Sequence, residues 1–508
     1  MQLQNCLQIT LIAGALVAST GQLAGAELPG LPPIQSPAPT PLDNNEPTAS
    51  PQPDSPETEP TQALALTEAD VVTLLLENNR ELRNAALERI AQQQELREAE
   101  SIFNPDFTPT LSLGISDRSD DTTEITREAW LGGDLLTPLG STLEVGVDLI
   151  DDQEVELTVT QPLLRGAGRA VTTSPVAIAR LQETNNQLDL QQRLITDITN
   201  GVLTYHALIR TQASLRIQQL SLETQQQQRR SVAALVEAGR RARFELVEID
   251  ANLAATETGV LEAENDLEQA KSNLLNLLDL ADSIEITIPD ATLATLSRTA
   301  EVADVPSLDE LVTIAYANRP DYQQTQLNLE IAKLNGIVAA DNRRWNLDLR
   351  ANASTRDFSE TSTELVLTRL LEDESTETAL QRNQVTQQQL QNDLSRLRSD
   401  IRLDIADQLR NVDSARNRIE STRLARELAE QRLENARTRA RLGRTRDIFE
   451  VLELQNDVVE AQNSEVNAAI DLADAIATLN QSLGTTLTVW SDQVEASQLL
   501  TVPSLPSP

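Results

Sequence analysis

Aromatic residues make up only 2% of this 508-residue chain, which has 17 glycines, one histidine and one cysteine. Each scarcity excludes something. Without large rings the thick core of a globular domain has little to be built from. The long runs of Ala, Leu, Gln, Glu, Arg, Asn and Asp are instead the composition of long helices, which bury narrow seams. Cys6 lies ahead of the first apolar run, so a chain cut after that run has no disulfide and no thiol chemistry. His206 stands between Tyr205 and Ala207, a setting that suits a helix surface or seam, and no zinc site or Ser-His-Asp arrangement can be assembled around it. No catalytic, cofactor or metal residue is assigned, and an enzyme is not expected. Basic residues are also short, with 41 Lys and Arg against 78 Asp and Glu and a net charge of -37. A phosphate backbone would be repelled, so no nucleic-acid partner is expected.

Residues 1–26 carry no charged side chain, hold an apolar run from Ile9 to Ala18 and end in Ala24-Gly25-Ala26. That pattern reads as a signal peptide cut before Glu27, the run being well under the ~20 residues needed to span a bilayer. Residues 27–63 form a linker: eleven prolines fall between 29 and 60, with no basic residue, a composition that stays extended or disordered.

From Leu66 a helical pattern begins, with Thr67 as N-cap and Glu68 and Asp70 in the first turn, and it runs to Asn104-Pro105. Residues 107–116, 141–150 and 154–160 alternate and read as strands, and 124–136 is a candidate for another. A helix without proline then fills 176–238, a tip follows at Gly239, and a return helix runs from Phe244 to Leu278. Residues 282–306 are a connector. The order then restarts: Val72-Thr73 and Asn78 correspond to Val312-Thr313 and Asn318, strands fall at 345–355 and 361–369, and residues 375–441 hold neither Gly nor Pro. In that run Leu390, Leu394, Leu397, Ile401, Ile405, Leu409 and Val412 mark a coiled-coil-like seam. A tip at Gly443, a return helix to Leu483 and a C-terminal tail over 485–508 complete the chain. The expected domains are therefore a first repeat over 64–281 and a second over 307–484. The first half is 35 residues longer from Asn78 to its tip glutamate Glu245 than the second is from Asn318 to Glu450, which implies a larger strand-end loop or an extra hairpin.

Four main strands of bilayer-spanning length cannot stand with free edges, and bilayer strands must close into a barrel. Four are too few to close alone, so several chains must share one. Phe103, Phe107, Trp130, Trp345 and Phe358 lie in or beside the strands, where either interfacial girdles or ordinary β-propensity would put them.

The duplicated order, the segments Asn78-Asn79-Arg80-Glu81-Leu82 and Asn318-Arg319-Pro320-Asp321, the run Gln161-Pro162-Leu163-Leu164-Arg165-Gly166 and the two tips together resemble the TolC-like outer-membrane efflux protein family. The resemblance covers residues 64–490. It implies a mainly α fold with membrane β: long α-helical hairpins forming a trimeric α-barrel, continuous with a shared 12-stranded transmembrane β-barrel and built on an internal tandem repeat. It implies an exit duct in the cell outer membrane with a periplasmic extension, serving an efflux pump or type I secretion system. The partners implied are two further copies, a periplasmic adaptor, an inner-membrane transporter and outer-membrane lipid. A periplasmic adaptor has long hairpins too, but one rather than two, and a structural coiled coil of the envelope needs no duplicated strand pairs.

The tips carry the candidate site. Phe244-Glu245-Leu246-Val247-Glu248 and Phe449-Glu450-Val451-Leu452-Glu453 share a pattern that sets two carboxylates on one helix face. A single copy is an ordinary solvated acidic face. The family's second tip has Gly followed by an Asp-x-x-Asp pair lining the periplasmic constriction, which Glu450 and Glu453 match with one extra residue after Gly443. Glu245 and Glu248 correspond by internal repeat. Gly239, Arg240, Arg241, Arg243, Gly443, Arg444, Arg446 and Asp447 form the turns, where the arginines either pair with Asp447 and the glutamates or face the adaptor.

Overall fold

The computed structural model describes residues 64–117, 123–150, 154–281, 283–289, 292–293, 295–296, 306–354, 361–369, 374–441, 448–497 and 499. The expected signal peptide and linker, Phe358 and the turn residues Gly443, Arg444, Arg446 and Asp447 lie outside the described residues.

A short strand β1 (Leu64–Ala65) leads into helix α1 (Glu68–Asn78). Thr67 caps it as expected: the Asp70 amide donates to Thr67 Oγ1 at 3.3 Å while the Thr67 amide donates to Asp70 Oδ2 at 2.9 Å, a reciprocal capping box. The single helix expected from Leu66 to Asn104 is two. Asn79 leaves helical geometry with ψ of 121°, and α2 (Arg80–Ser101) starts anew. Asn79 Oδ1 accepts the amides of Glu81 and Leu82 at 2.9 and 3.0 Å, so the break is a capped helix start.

Four strands follow: β2 (Asp106–Asp117), β3 (Thr123–Leu136), β4 (Thr142–Asp148) and β5 (Val155–Pro162). A one-turn helix α3 (Arg169–Thr172) precedes the 64-residue α4 (Ser174–Glu237), and α5 (Arg243–Leu277) returns from the tip. The connector holds β6 (Ile286–Thr287), parallel to β1. Next come α6 (Leu308–Asn318) and α7 (Pro320–Asp341), broken at Arg319, where Pro320 opens the new helix with the fixed φ that suits that position. The hairpin β7 (Asn346–Ser354) and β8 (Thr361–Thr368) leads to the 68-residue α8 (Glu374–Arg441), and α9 (Ile448–Leu483) returns. The expected tail begins with two short helices, α10 (Thr486–Val489) and α11 (Ser491–Ser497), and Val494 of α11 is buried against α1. No described helix is long and apolar enough to cross a membrane.

The long helices pack along narrow seams. Leu75, Leu82, Leu194, Ile198, Tyr205 and Leu274 join α1, α2, α4 and α5, and Leu311, Ile401, Ile405, Val412 and Leu472 join α6, α8 and α9. Of the seam read in the sequence, Ile401, Ile405 and Val412 are buried and Leu394, Leu397 and Leu409 flank them.

The large sheet is an antiparallel meander in the order β2-β3-β4-β5-β7-β8. Each strand read in the sequence is present, and the candidate over 124–136 is β3, so the described sheet has six strands. The extra residues of the first half fall mainly in β3, β4 and their turns, and β3 reads the more weakly as strand because Gly132-Gly133 interrupts its alternation.

Candidate functional site

The register gives the sheet two different faces. Phe107, Leu111 and Leu113 of β2 share one with Leu131 and Leu135 of β3, Leu143, Val145 and Val147 of β4, Leu157 and Val159 of β5, and the leucines of β7 and β8. Phe107, Leu111 and Leu113 are 70–73% exposed, so no layer covers them among the described residues. Arg127, toward the β2–β3 turn, is a charged residue on it. The opposite face carries Asp106, Glu128, Asp134, Glu144, Asp148, Glu156, Asp348 and Glu364. Arg350 is the only basic residue described there, 3.9 Å from Glu364. A sheet apolar on one side and acidic on the other belongs between hydrocarbon and water. Among the aromatics weighed for interfacial girdles, Phe107 is on the apolar face at the helix end, whereas Trp130 lies on the polar face against Gly146. Trp345 is stacked under the Arg369 guanidinium, 5.1 Å from the ring centre.

At the first tip α4 ends on Gly239, φ +67°. The Gly239 and Arg240 amides donate to the carbonyls of Val236 and Leu235 at 3.0 and 2.9 Å, the paired bonds of a Schellman cap. The candidate glutamates divide into two kinds. Glu245 is the third residue of α5, is 8% exposed, accepts from Arg241 at 2.6 Å and reaches back to the Ala242 amide at 3.4 Å. It is held inside the turn as a capping carboxylate, not set on an open helix face. Glu450 is likewise the third residue of α9 and accepts from Arg439 of α8 at 2.8 Å. Glu248 and Glu453, one turn further on, are exposed, as are Arg240 and Arg243. The recurrence of Phe-Glu-x-x-Glu thus has a local cause at its first carboxylate, because a helix start favours Glu at that position. Between the hairpins Leu452 packs against Val232 and Ile249, and within the second hairpin Val451 packs against Leu433 and Ala436. Arg439 was missed in the sequence because a pairing across a hairpin depends on helix phase, which composition does not reveal.

A second polar cluster crosses the helices near the middle of α4. His206 is buried in the seam, its Nδ1 2.7 Å from Asp474 and its Nε2 3.8 Å from Glu68. Arg210 joins Asp474 and Asp471 at 3.3 and 2.9 Å, and Arg418 reaches Asp471 at 3.2 Å. Burial pushes the Glu68 carboxyl up from its ordinary value and His206 opposes the shift. The cluster ties α4 to α1, α8 and α9 and is not at either end that the sequence marks. No group of acidic, histidine or cysteine side chains among the described residues is arranged to hold a metal ion.

No curated protein matches the chain by sequence. Residues 71–279 match the family model described as outer membrane efflux protein. Among solved structures, the Campylobacter jejuni CmeC outer membrane channel is 14% identical with a TM-score of 0.60, over 90% of this chain and 98% of that one. The open state of the Neisseria gonorrhoeae MtrE outer membrane channel is 14% identical with a TM-score of 0.64, over 83% and 89%. The outer membrane protein VceC from Vibrio cholerae is 15% identical with a TM-score of 0.62, over 82% and 96%. The resemblance to the TolC-like outer-membrane efflux proteins therefore rests on sequence over residues 71–279 and on the fold of most of the chain.

Proposed function

We propose that the protein is the outer-membrane exit duct of an efflux pump or type I secretion system, passing passively what an inner-membrane transporter and a periplasmic adaptor deliver. The observation that carries the reading is the six-stranded sheet with one apolar face, one acidic face and two unpaired edges, joined to helical hairpins of 64 and 68 residues. Such edges are untenable in a lone sheet, and closure with further copies removes them. Three copies place the helices in a ring beneath a common barrel. The matched lengths of α1 with α6, α2 with α7 and α5 with α9, namely 11 and 11, 22 and 22, and 35 and 36 residues, support a tandem repeat. In this reading the energy for transport comes from the transporter.

In this reading the tips close the periplasmic end. Glu453 and Glu248 are the carboxylates free to line the constriction, Glu450 joins them when its pairing with Arg439 opens, and Glu245 holds the turn. Rings of carboxylates attract cations. Exposed Phe244 and Val247 with Arg240 and Arg243 offer the adaptor an apolar and basic surface. Reconstitution into a planar bilayer tests the duct: step-like channel currents and a detergent-resistant trimer are expected, and a soluble rod without current overturns it. Glu450→Ala with Glu453→Ala is expected to weaken block by divalent cations, and unchanged block removes these residues from the constriction.

A further inference from the structure

Four helix–strand junctions connect rods to sheet: α2 feeds β2, β5 leads by way of α3 to α4, α7 feeds β7, and β8 leads to α8. The helices neighbour one another in the order α2, α4, α7, α8, the same order as their strands. Only β3 and β4 have no helix of their own. Their turn, Thr137–Ser141, is nevertheless fixed to the helix end of the sheet. The Gly168 amide donates to Leu139 O at 3.2 Å, and Ser141 Oγ bonds Gln161. Gly140, φ +93°, comes so close to Gly166 that a Cβ would stand 2.3 Å from its carbonyl oxygen. Only glycine meets both conditions.

β3 and β4 are full members of the ladder. Leu131, Gly133 and Leu135 pair with Val147, Val145 and Leu143, carrying the apolar face without a gap from β2 to β5. We propose, resting on the trimeric duct, that β3–β4 is a wall hairpin, so that three copies close an eighteen-stranded barrel rather than a twelve-stranded one. Six strands is an even number, so β8 of one copy meets β2 of the next antiparallel.

The perimeter favours the larger count. Four helices packed about 8–10 Å apart occupy roughly 32–40 Å of circumference per chain. Six strands about 4.8 Å apart and tilted about 40° occupy roughly 38 Å, whereas four occupy roughly 25 Å. The inserted hairpin thus matches the barrel to the helical ring. Three chains give a barrel about 36 Å across between backbones, against about 24 Å for twelve strands, and the duct keeps its width where it enters the membrane.

The test uses the full-length trimer in lipid nanodiscs. Single cysteines at Leu131, Val145 and Val147, and at Asp134, Glu144 and Asp148, are spin-labelled and their collisions with oxygen and with a water-soluble nickel chelate compared. The expected result is lipid exposure for the first set and water exposure for the second, with eighteen strands in a cross-section by electron cryo-microscopy. Water exposure at both sets, or twelve strands with β3–β4 outside the wall, overturns the proposal while leaving the duct intact. Failure of the unmodified chain to form any detergent-resistant oligomer sinks the duct reading and the proposal together.

Discussion

The six-membered ring of Trp130 abuts Gly146 on the neighbouring strand, where a Cβ would stand 1.9 Å from its Cζ2. An aromatic packed against a glycine of the neighbouring strand pins register between the two. Gly146→Ala is therefore expected to displace the ring and to cost about 1–3 kcal/mol through overpacking. In a background lacking the other two tryptophans, Trp130 emission should shift to the red and the β-signal should melt earlier. Trp130→Val should relieve the effect of Gly146→Ala in a double-mutant cycle.

Arg89 of α2 and Glu183 of α4 form an ion pair whose side chains are 5% and 10% exposed. Arg89→Ala leaves a carboxylate buried and is expected to cost about 3–5 kcal/mol. Arg89→Met combined with Glu183→Leu removes both charges and should recover most of that loss. The helical melting temperature of the two variants measures the difference.

Gly239 has open space around its Cα, with nothing within 4 Å of an added Cβ, so its requirement is the backbone alone. Gly239→Ala is expected to cost about 1–2 kcal/mol because an L side chain strains the left-handed conformation, and Gly239→Asn less. Hydrogen exchange should show the loss confined to the last turn of α4 and the first of α5.

Glu68 supplies a pH dependence. Its folded-state carboxyl titrates above the unfolded value because burial penalises the ion. As pH rises past the ordinary carboxylate range the unfolded chain releases this proton first, so stability falls through the window up to the folded value and then levels off. Glu68→Gln removes that fall. Denaturant melts of the two proteins at acid and neutral pH should show the variant gaining relative to the unmodified chain as pH rises, and a constant difference would exclude this contribution.

The helices were legible because their signals are negative ones. A run over 176–238 without proline and with the single glycine Gly201 corresponds to α4, and one over 375–441 without either corresponds to α8, within two residues at every end. The breaks at Asn79 and Arg319 were not legible as breaks, since Asn and Arg are tolerated inside helices and only the capping bonds and Pro320 set the boundary. At the tips, the charge pattern alone could not separate Glu245 from Glu248. A capping carboxylate and an open one look alike until the start of the helix is known to one residue.

The unbroken length of α4 has a mechanical consequence. Its 64 residues make a lever about 96 Å long, so a tilt of one degree at the sheet moves the tip by about 1.7 Å. Beside it, α1 and α2 are joined through Asn79, a joint that can absorb a change of angle. Small rotations near the sheet therefore reach the tip amplified along α4, while the jointed pair beside it can adjust its own angle to follow.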